Sequence, residues 1–227
     1  MASARSYAEE LKPWVRAQVI DLRRADTLTE AKYLVDTNVL YFIHYDRFGS
    51  LEELGKGPRP YQLKHYPQYL KRVREKGGGL FVHRLGLIEF ARAVERAELY
   101  ILHAIKTPGI TEIPPEISIK DLRKTYPENY GNCQERVLTY MGAVRKAYPL
   151  IQMATQEEPA FWKQWNTKWQ TSIADPEDAA QLVDALASGI SSIISDDSDW
   201  VSIEGIRFFT ANPVAIQAAR LAGKLTR

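Results

Sequence analysis

The chain has 227 residues, of which 45% are hydrophobic and 26% charged, a composition that suits one sizeable globular domain or one domain with an elaboration. Lys and Arg number 30 against 28 Asp and Glu, for a formal net charge of +2. That near balance excludes a polybasic nucleic-acid sponge and leaves room for a local basic patch beside an acidic site.

Along the chain, Tyr7 to about Arg24 reads as an amphipathic helix, with Leu11, Trp14, Val15, Val19, Ile20 and Leu22 mostly on one face. This N-terminal stretch is charged and lacks an apolar signal core. Tyr33-Leu34-Val35 reads as a short buried strand that ends at Asp36, and Val39 to Ile43 begins a helix that fades near Phe48-Gly49, with Thr37 or Asn38 placed to cap it. Gly49 to Pro60 reads as loop, and Tyr61 to Glu75 as a helix with a basic face. After Gly77-Gly78-Gly79, Leu80-Phe81-Val82 is a second strand and Leu85 to Ile105 a strong helix. Lys106 to Glu116 is connection, Gln134 to Gln152 helix, and Glu157 to Trp169 an aromatic-rich helix. Asp178 to Ser188 is an alanine-rich helix, Ser191 to Ser195 a third strand, Arg207 to Thr210 a fourth, and Pro213 opens a last helix to about Ala222. Such alternation predicts an α/β fold with a mostly parallel sheet between helical layers.

The single cysteine, Cys133, can form neither an internal disulfide nor a cysteine-based zinc site. No apolar run approaches the ~20 residues of a membrane span. The expectation is a protein of the reducing cytoplasm with no membrane partner.

Candidate chemistry lies in the carboxylates. Asp36 ends the first strand, Glu89 interrupts an apolar register early in the helix after the second, Asp178 opens the helix before the third, and Asp197 lies just past it. In open α/β sheets, ligands bind at the carboxyl ends of strands. If these strands are neighbours and parallel, Asp36, Glu89 and Asp197 share one edge of the sheet, and Asp178 joins them only through tertiary packing. Crowded carboxylates repel. A hard divalent cation relieves that repulsion, and oxygen-only ligands favour Mg²⁺ or Mn²⁺ over zinc. Such ions activate water and stabilise charge during phosphodiester cleavage.

The motifs match a family. Val35-Asp36-Thr37-Asn38-Val39-Leu40, the helix-borne Glu89, Asp178-Ala179-Ala180 running on to Gly189, and Ile194-Ser195-Asp196-Asp197-Ser198-Asp199-Trp200 resemble the motifs of PIN-domain nucleases, including the ribonuclease toxins of toxin–antitoxin pairs. The resemblance implies a PIN-like three-layer α/β/α domain spanning 1–227, with an additional N-terminal helix (1–30) and helical insertions at about 49–79 and 106–175. It implies an endoribonuclease in which Asp36, Glu89, Asp178 and Asp197 are catalytic and bind Mg²⁺ or Mn²⁺. Asp199 is either a further metal contact or a residue that supports one, and Asp184, six residues along the same helix, competes with Asp178. Asn38 and Ser195 are then supporting residues that orient the carboxylates. RNA is the expected substrate, with an antitoxin or other protein partner and a homodimer as further expectations. Two other readings are a non-cleaving PIN-like binding module and a different Mg²⁺-dependent phosphohydrolase.

Phosphate-binding candidates are Lys71 and Arg72, from the basic run of the Tyr61–Glu75 helix, and Arg92, three residues on from Glu89. Phe161, Trp162, Trp165 and Trp169 are read either as core or partner-binding surface, or as a platform for unpaired bases.

Overall fold

The computed structural model describes residues 4–110, 113, 117–151 and 158–226. Six strands form one sheet in the order β3-β2-β4-β5-β1-β6, and every pair is parallel. They are β1 (Gln18–Asp21), β2 (Lys32–Val35), β3 (Gly79–Phe81), β4 (Ser192–Ile194), β5 (Arg207–Thr210) and β6 (Leu225–Thr226). Between them lie α1 (Ala4–Leu11), α2 (Thr37–His44), α3 (Phe48–Glu52), α4 (Pro60–Glu75), α5 (Arg84–Lys106), α6 (Ile119–Thr125), α7 (Pro127–Ala147), α8 (Glu158–Gln170), α9 (Pro176–Ala187) and α10 (Pro213–Leu221).

The inner strands β2, β4, β5 and β1 are buried on both faces, as parallel sheets require, and the edge strands β3 and β6 only in part. Alternate side chains serve opposite cores. Tyr33 and Val35 of β2, Ile194 of β4, Phe209 of β5 and Ile20 of β1 join a cluster built from α2, α4, α5 and α7. Leu34, Ile193, Phe208 and Val19, one residue out of step, join a second cluster with α1, α9 and α10. The result is a three-layer α/β/α architecture.

The N-terminal region departs from the expected long helix. The helix stops at Leu11, Lys12–Trp14 makes a single 3-10 turn, and Gln18–Asp21 is a strand inserted between β5 and β6. Pro13 explains the break, because proline in a helix interior removes a backbone hydrogen bond and clashes with the preceding turn. The β-branched Val19 and Ile20 then favour the sheet. A short helix, α3, occupies part of the segment read as loop after Gly49, and α7 begins seven residues before Gln134, at Pro127. α7 ends at Ala147, short of the expected Gln152, because Tyr148 turns extended and Leu150 bridges Val82; Gln152 itself, Glu157 and parts of the 106–116 connection lie outside the described residues.

The long segment 49–79 is tied to the sheet's carboxyl edge. Tyr66 of α4, fully buried, donates to the Ser195 carbonyl at 3.0 Å and to Asp196 Oδ1 at 2.7 Å, and accepts from the Ala211 amide at 3.1 Å. One phenol thereby joins the loops that follow β4 and β5. Past α7, the chain returns to the sheet edge, where Ile151 N–H donates to the Val82 carbonyl at 2.8 Å and covers the exposed side of β3.

Candidate active site

Strand β2, second from one edge of the sheet, lies between β3 and β4. The turns after these three strands therefore share one edge, and each contributes an acidic group or its support. Asp36 is itself the cap of α2, where Thr37 or Asn38 had been expected; its Oδ1 accepts from the Thr37 amide at 2.6 Å. Its Oδ2 accepts from Asn38 Nδ2 at 2.9 Å, from Trp200 Nε1 at 3.3 Å and from the Ser195 hydroxyl. Four donors favour the carboxylate, yet the group is 5% exposed, and burial together with the charges of Asp197 and Glu89 pushes its pKa up to about 6.

Ser195 and Asn38 form a brace across two strands. The Ser195 hydroxyl, while donating to Asp36, accepts from Asn38 Nδ2 at 3.1 Å and from the Asp197 amide at 2.9 Å. Asn38 Oδ1 accepts from the Asp196 amide at 2.9 Å. This fixes the direction in which the chain leaves β4. Asp197 caps the following 3-10 turn by accepting from the Asp199 amide at 2.9 Å, and its side chain is exposed to solvent.

Glu89 stands in the second turn of α5. Its Oε2 lies 2.7 Å from the Thr37 hydroxyl, and Gln181 Nε2 of α9 is 3.4 Å from both carboxylate oxygens. Gly86 makes this approach feasible: a Cβ there would come within 3.1 Å of Gln181 Oε1 and 3.3 Å of Thr37 Oγ1. Neither Thr37 nor Gln181 stood out as a carboxylate partner in the sequence, because each passes for an ordinary helix residue.

Asp178 sits at the third position of α9, which opens at Pro176 and is capped by Asp175 through the Asp178 amide at 2.7 Å. The Asp178 carboxyl is 8% exposed and accepts no hydrogen bond from any described residue. Burial, followed by the charges of Asp36, Asp175, Asp197 and Glu89, pushes its pKa up to about 9. Gln181, on the same helix as Asp178, reaches Glu89 at 3.4 Å, so α9 packs beside α5, the tertiary packing that the sequence left open. Asp199 is pushed up to about 6 by burial and by Asp197 and Asp175. Among the ion pairs of the described residues, none involves Asp36, Glu89, Asp178 or Asp197.

Asp184 has another role. Its Oδ2 is 2.9 Å from His83 Nε2, both side chains are buried, and His83 Nδ1 accepts from the Leu85 amide to cap α5. Because Nδ1 acts as the acceptor, Nε2 carries the hydrogen donated to Asp184. The pair bolts the start of α5 to α9, the two helices that bear Glu89 and Asp178.

The expected phosphate-binding residues are not brought to this edge. Arg72 donates to the backbone carbonyls of Arg24 at 2.9 Å, Ala25 at 2.5 Å and Leu22 at 3.4 Å, and lies over the Tyr69 ring. It pins the segment after β1. Lys71 is exposed and lies 3.8 Å from Glu75. Both stand about 15 Å along α4 from Gln62, whose amide reaches Asp196 at the acidic edge. Arg92 is exposed and lines a groove with Ile88, Glu95 and Arg123. One cation that does act at the edge is Arg59, at the head of α4, whose charge lowers the Asp196 carboxyl against the larger effect of burial.

Among the described residues, no three His, Cys, Asp or Glu side chains converge as a ready-made metal cage. The donor set nevertheless suits a hard cation. It is all oxygen, it lacks a cationic partner, and its two most buried members are both shifted toward protonation.

The sequence matches no family model and no curated protein. Among solved structures the chain is similar to a chain of the crystal structure of VapBC2 from Rickettsia felis bound to a DNA fragment from its promoter. The TM-score is 0.46 at 10% identity, over 79% of this chain and 98% of that one. A likeness this remote carries no argument about function.

Proposed function

We propose that the protein is a metal-dependent endoribonuclease of PIN-like type, acting at the carboxyl edge of β3, β2 and β4. One observation carries the reading: Asp36 and Asp178 are buried carboxyls with no ion-pair partner among the described residues, and burial first, then the charges of Asp36, Asp175, Asp197 and Glu89, pushes the Asp178 carboxyl up. Four carboxylates from four chain segments at a strand-end edge have little structural use on their own, because their repulsion opposes folding. The matching motif residues support the same reading.

In this proposal Asp36, Glu89, Asp178 and Asp197 hold Mg²⁺ or Mn²⁺, and Asp199 contributes at the rim. The ion supplies Lewis acidity at the phosphate and lowers the pKa of water. The chain's own residues do the positioning. Ser195, Asn38 and Trp200 fix the Asp36 carboxylate, while Thr37 and Gln181 hold Glu89. A carboxyl with a pKa raised toward neutrality is suited to accept the proton of an attacking water. The choice of RNA over DNA, an inhibitory antitoxin and a homodimer follow from the motif resemblance.

The test is cleavage of a mixed single-stranded and structured RNA pool with Mg²⁺ or Mn²⁺, comparing the protein with Asp36→Asn. The expected result is metal-dependent cutting that the substitution abolishes. Equal cutting by both proteins would trace the activity to a contaminant. No cutting and no metal binding would favour a non-cleaving module.

A further inference from the structure

Helix α8 has a composition and an address that the proposed chemistry leaves unused. No residue of this helix is buried. Phe161, Trp162, Trp165 and Trp169 fall within an arc of about 100° on it, and their rings touch in sequence, with centroids 5.3, 5.5 and 5.0 Å apart. Trp162 is 49% exposed and Trp169 41%, so large ring faces stay in water. Glu-Pro-Ala-Phe-Trp-Lys-Gln-Trp-Asn-Thr-Lys-Trp-Gln contains no Leu, Ile, Val or Met. An amphipathic helix seated in a protein groove presents apolar anchors at i, i+3, i+4 and i+7. Trp162, Trp165 and Trp169 share that i, i+3, i+7 spacing, but every anchor is an aromatic ring and no large aliphatic side chain accompanies them.

The address is the acidic edge. Trp165 Nε1 donates to the Pro176 carbonyl at 3.0 Å, two residues before Asp178 and next to Asp175. The aromatic row is therefore continuous with the candidate site through the first turn of α9. A cluster of carboxylates repels the phosphates of the strand it would cut, so neighbouring nucleotides need holding by something other than charge. Base faces are neutral, and they stack on aromatic side chains irrespective of sequence. The Trp162 and Trp165 rings stand nearly perpendicular, at 87°, and the Trp165 and Trp169 rings are inclined by 31°, so the exposed indoles offer separate faces to individual unstacked bases.

We propose that α8 is a base-stacking platform that holds single-stranded nucleic acid beside the acidic edge, with Trp162 and Trp169 as its exposed contacts. Trp165 tethers the platform to α9. The inference rests on reading that edge as a phosphodiester-cleaving site. Duplexed bases have no free faces, so the platform selects unpaired strands.

The experiment uses the full chain with EDTA to block cutting, and a fluorescently labelled mixed-sequence RNA, alone or annealed to its complement. The single strand is expected to bind more tightly than the duplex and to quench tryptophan emission. Trp162→Ala and Trp169→Ala should each weaken single-strand binding roughly ten-fold, with most of the affinity restored in Trp162→Phe and Trp169→Phe. With Mn²⁺, the alanine variants should cut at the parental kcat with KM raised by the same factor. Unchanged affinity in both alanine variants would overturn the proposal. So would self-association that depends on these tryptophans while RNA affinity stays constant, which would assign the face to protein contact. If the parent protein binds single strands through the tryptophans yet never cuts with metal, the stacking face stands and the nuclease reading falls.

Discussion

Replacing Asp178 with Asn should make the metal-free protein more stable while ending its activity. In the folded chain the Asp178 carboxyl is pushed up to about 9, from 3.8 in a free side chain. Below about pH 4 both states are protonated and the group costs nothing. As pH rises from there, the unfolded chain releases the proton while the folded chain retains it, so stability falls until about pH 9. At pH 7 the gap is about three pH units, each about 1.4 kcal/mol, or roughly 4 kcal/mol at most. Water entry and movement of the neighbouring carboxylates reduce this, and we expect a gain of about 2 kcal/mol for Asp178→Asn, because the amide keeps the shape of the protonated acid without its titration. In a chain of this size that corresponds to roughly 4–8 °C in Tm. Thermal unfolding in EDTA from pH 5 to 8 measures it, and the advantage should widen with pH. Mn²⁺ should then raise the Tm of the parent and leave the variant nearly unmoved. A variant less stable than the parent, or a gain that shrinks as pH rises, would refute the account of a buried, charge-crowded carboxyl.

Two further outcomes follow from the hydrogen-bonded supports. Ser195→Ala removes a donor to Asp36 Oδ2, so the Asp36 carboxyl should rise further above its present value of about 6. The acidic limb of the Mn²⁺-dependent cleavage profile should then move to higher pH, and a shift in the other direction would exclude this role for Ser195. His83→Ala breaks the buried 2.9 Å contact with Asp184 and should cost about 2–3 kcal/mol in urea unfolding; a cost near zero would mean that α5 and α9 are held together by apolar packing alone.

Much of the sheet could be read from its apolar runs. Tyr33-Leu34-Val35 and Arg207–Thr210 are short, rich in aromatic and β-branched residues and closed by polar groups, and they became β2 and β5. Asp36 was legible for the same reason, because a carboxylate directly after a buried strand has only the sheet edge to occupy. β1 was not legible: Val15, Val19, Ile20 and Leu22 satisfy helical spacing as well as strand burial, and only Pro13 argued for a break. The two-residue β6 carries no pattern at all. Lys71 and Arg72 show a different limit. A helix the length of α4 spans about 24 Å, so a basic run says nothing about which end of the helix meets the site. Thr37 and Gln181 became visible only once α5 and α9 were seen to lie side by side.

The parallel register Gln18↔Arg207 pairs a strand near the start of the chain with one near its end, and β4, with Asp197 behind it, also comes from the last part of the sequence. During synthesis, Asp36 and Glu89 emerge early, whereas Asp178 and Asp197 follow only after most of the chain has been made. Pairings of such sequence separation form late, because the loop between them must first be closed. A chain broken off before residue 178 therefore carries half of the acidic edge and none of β4 or β5. Any activity that depends on all four carboxylates is withheld from incomplete chains by the order of the sequence itself, without a separate inhibitory segment.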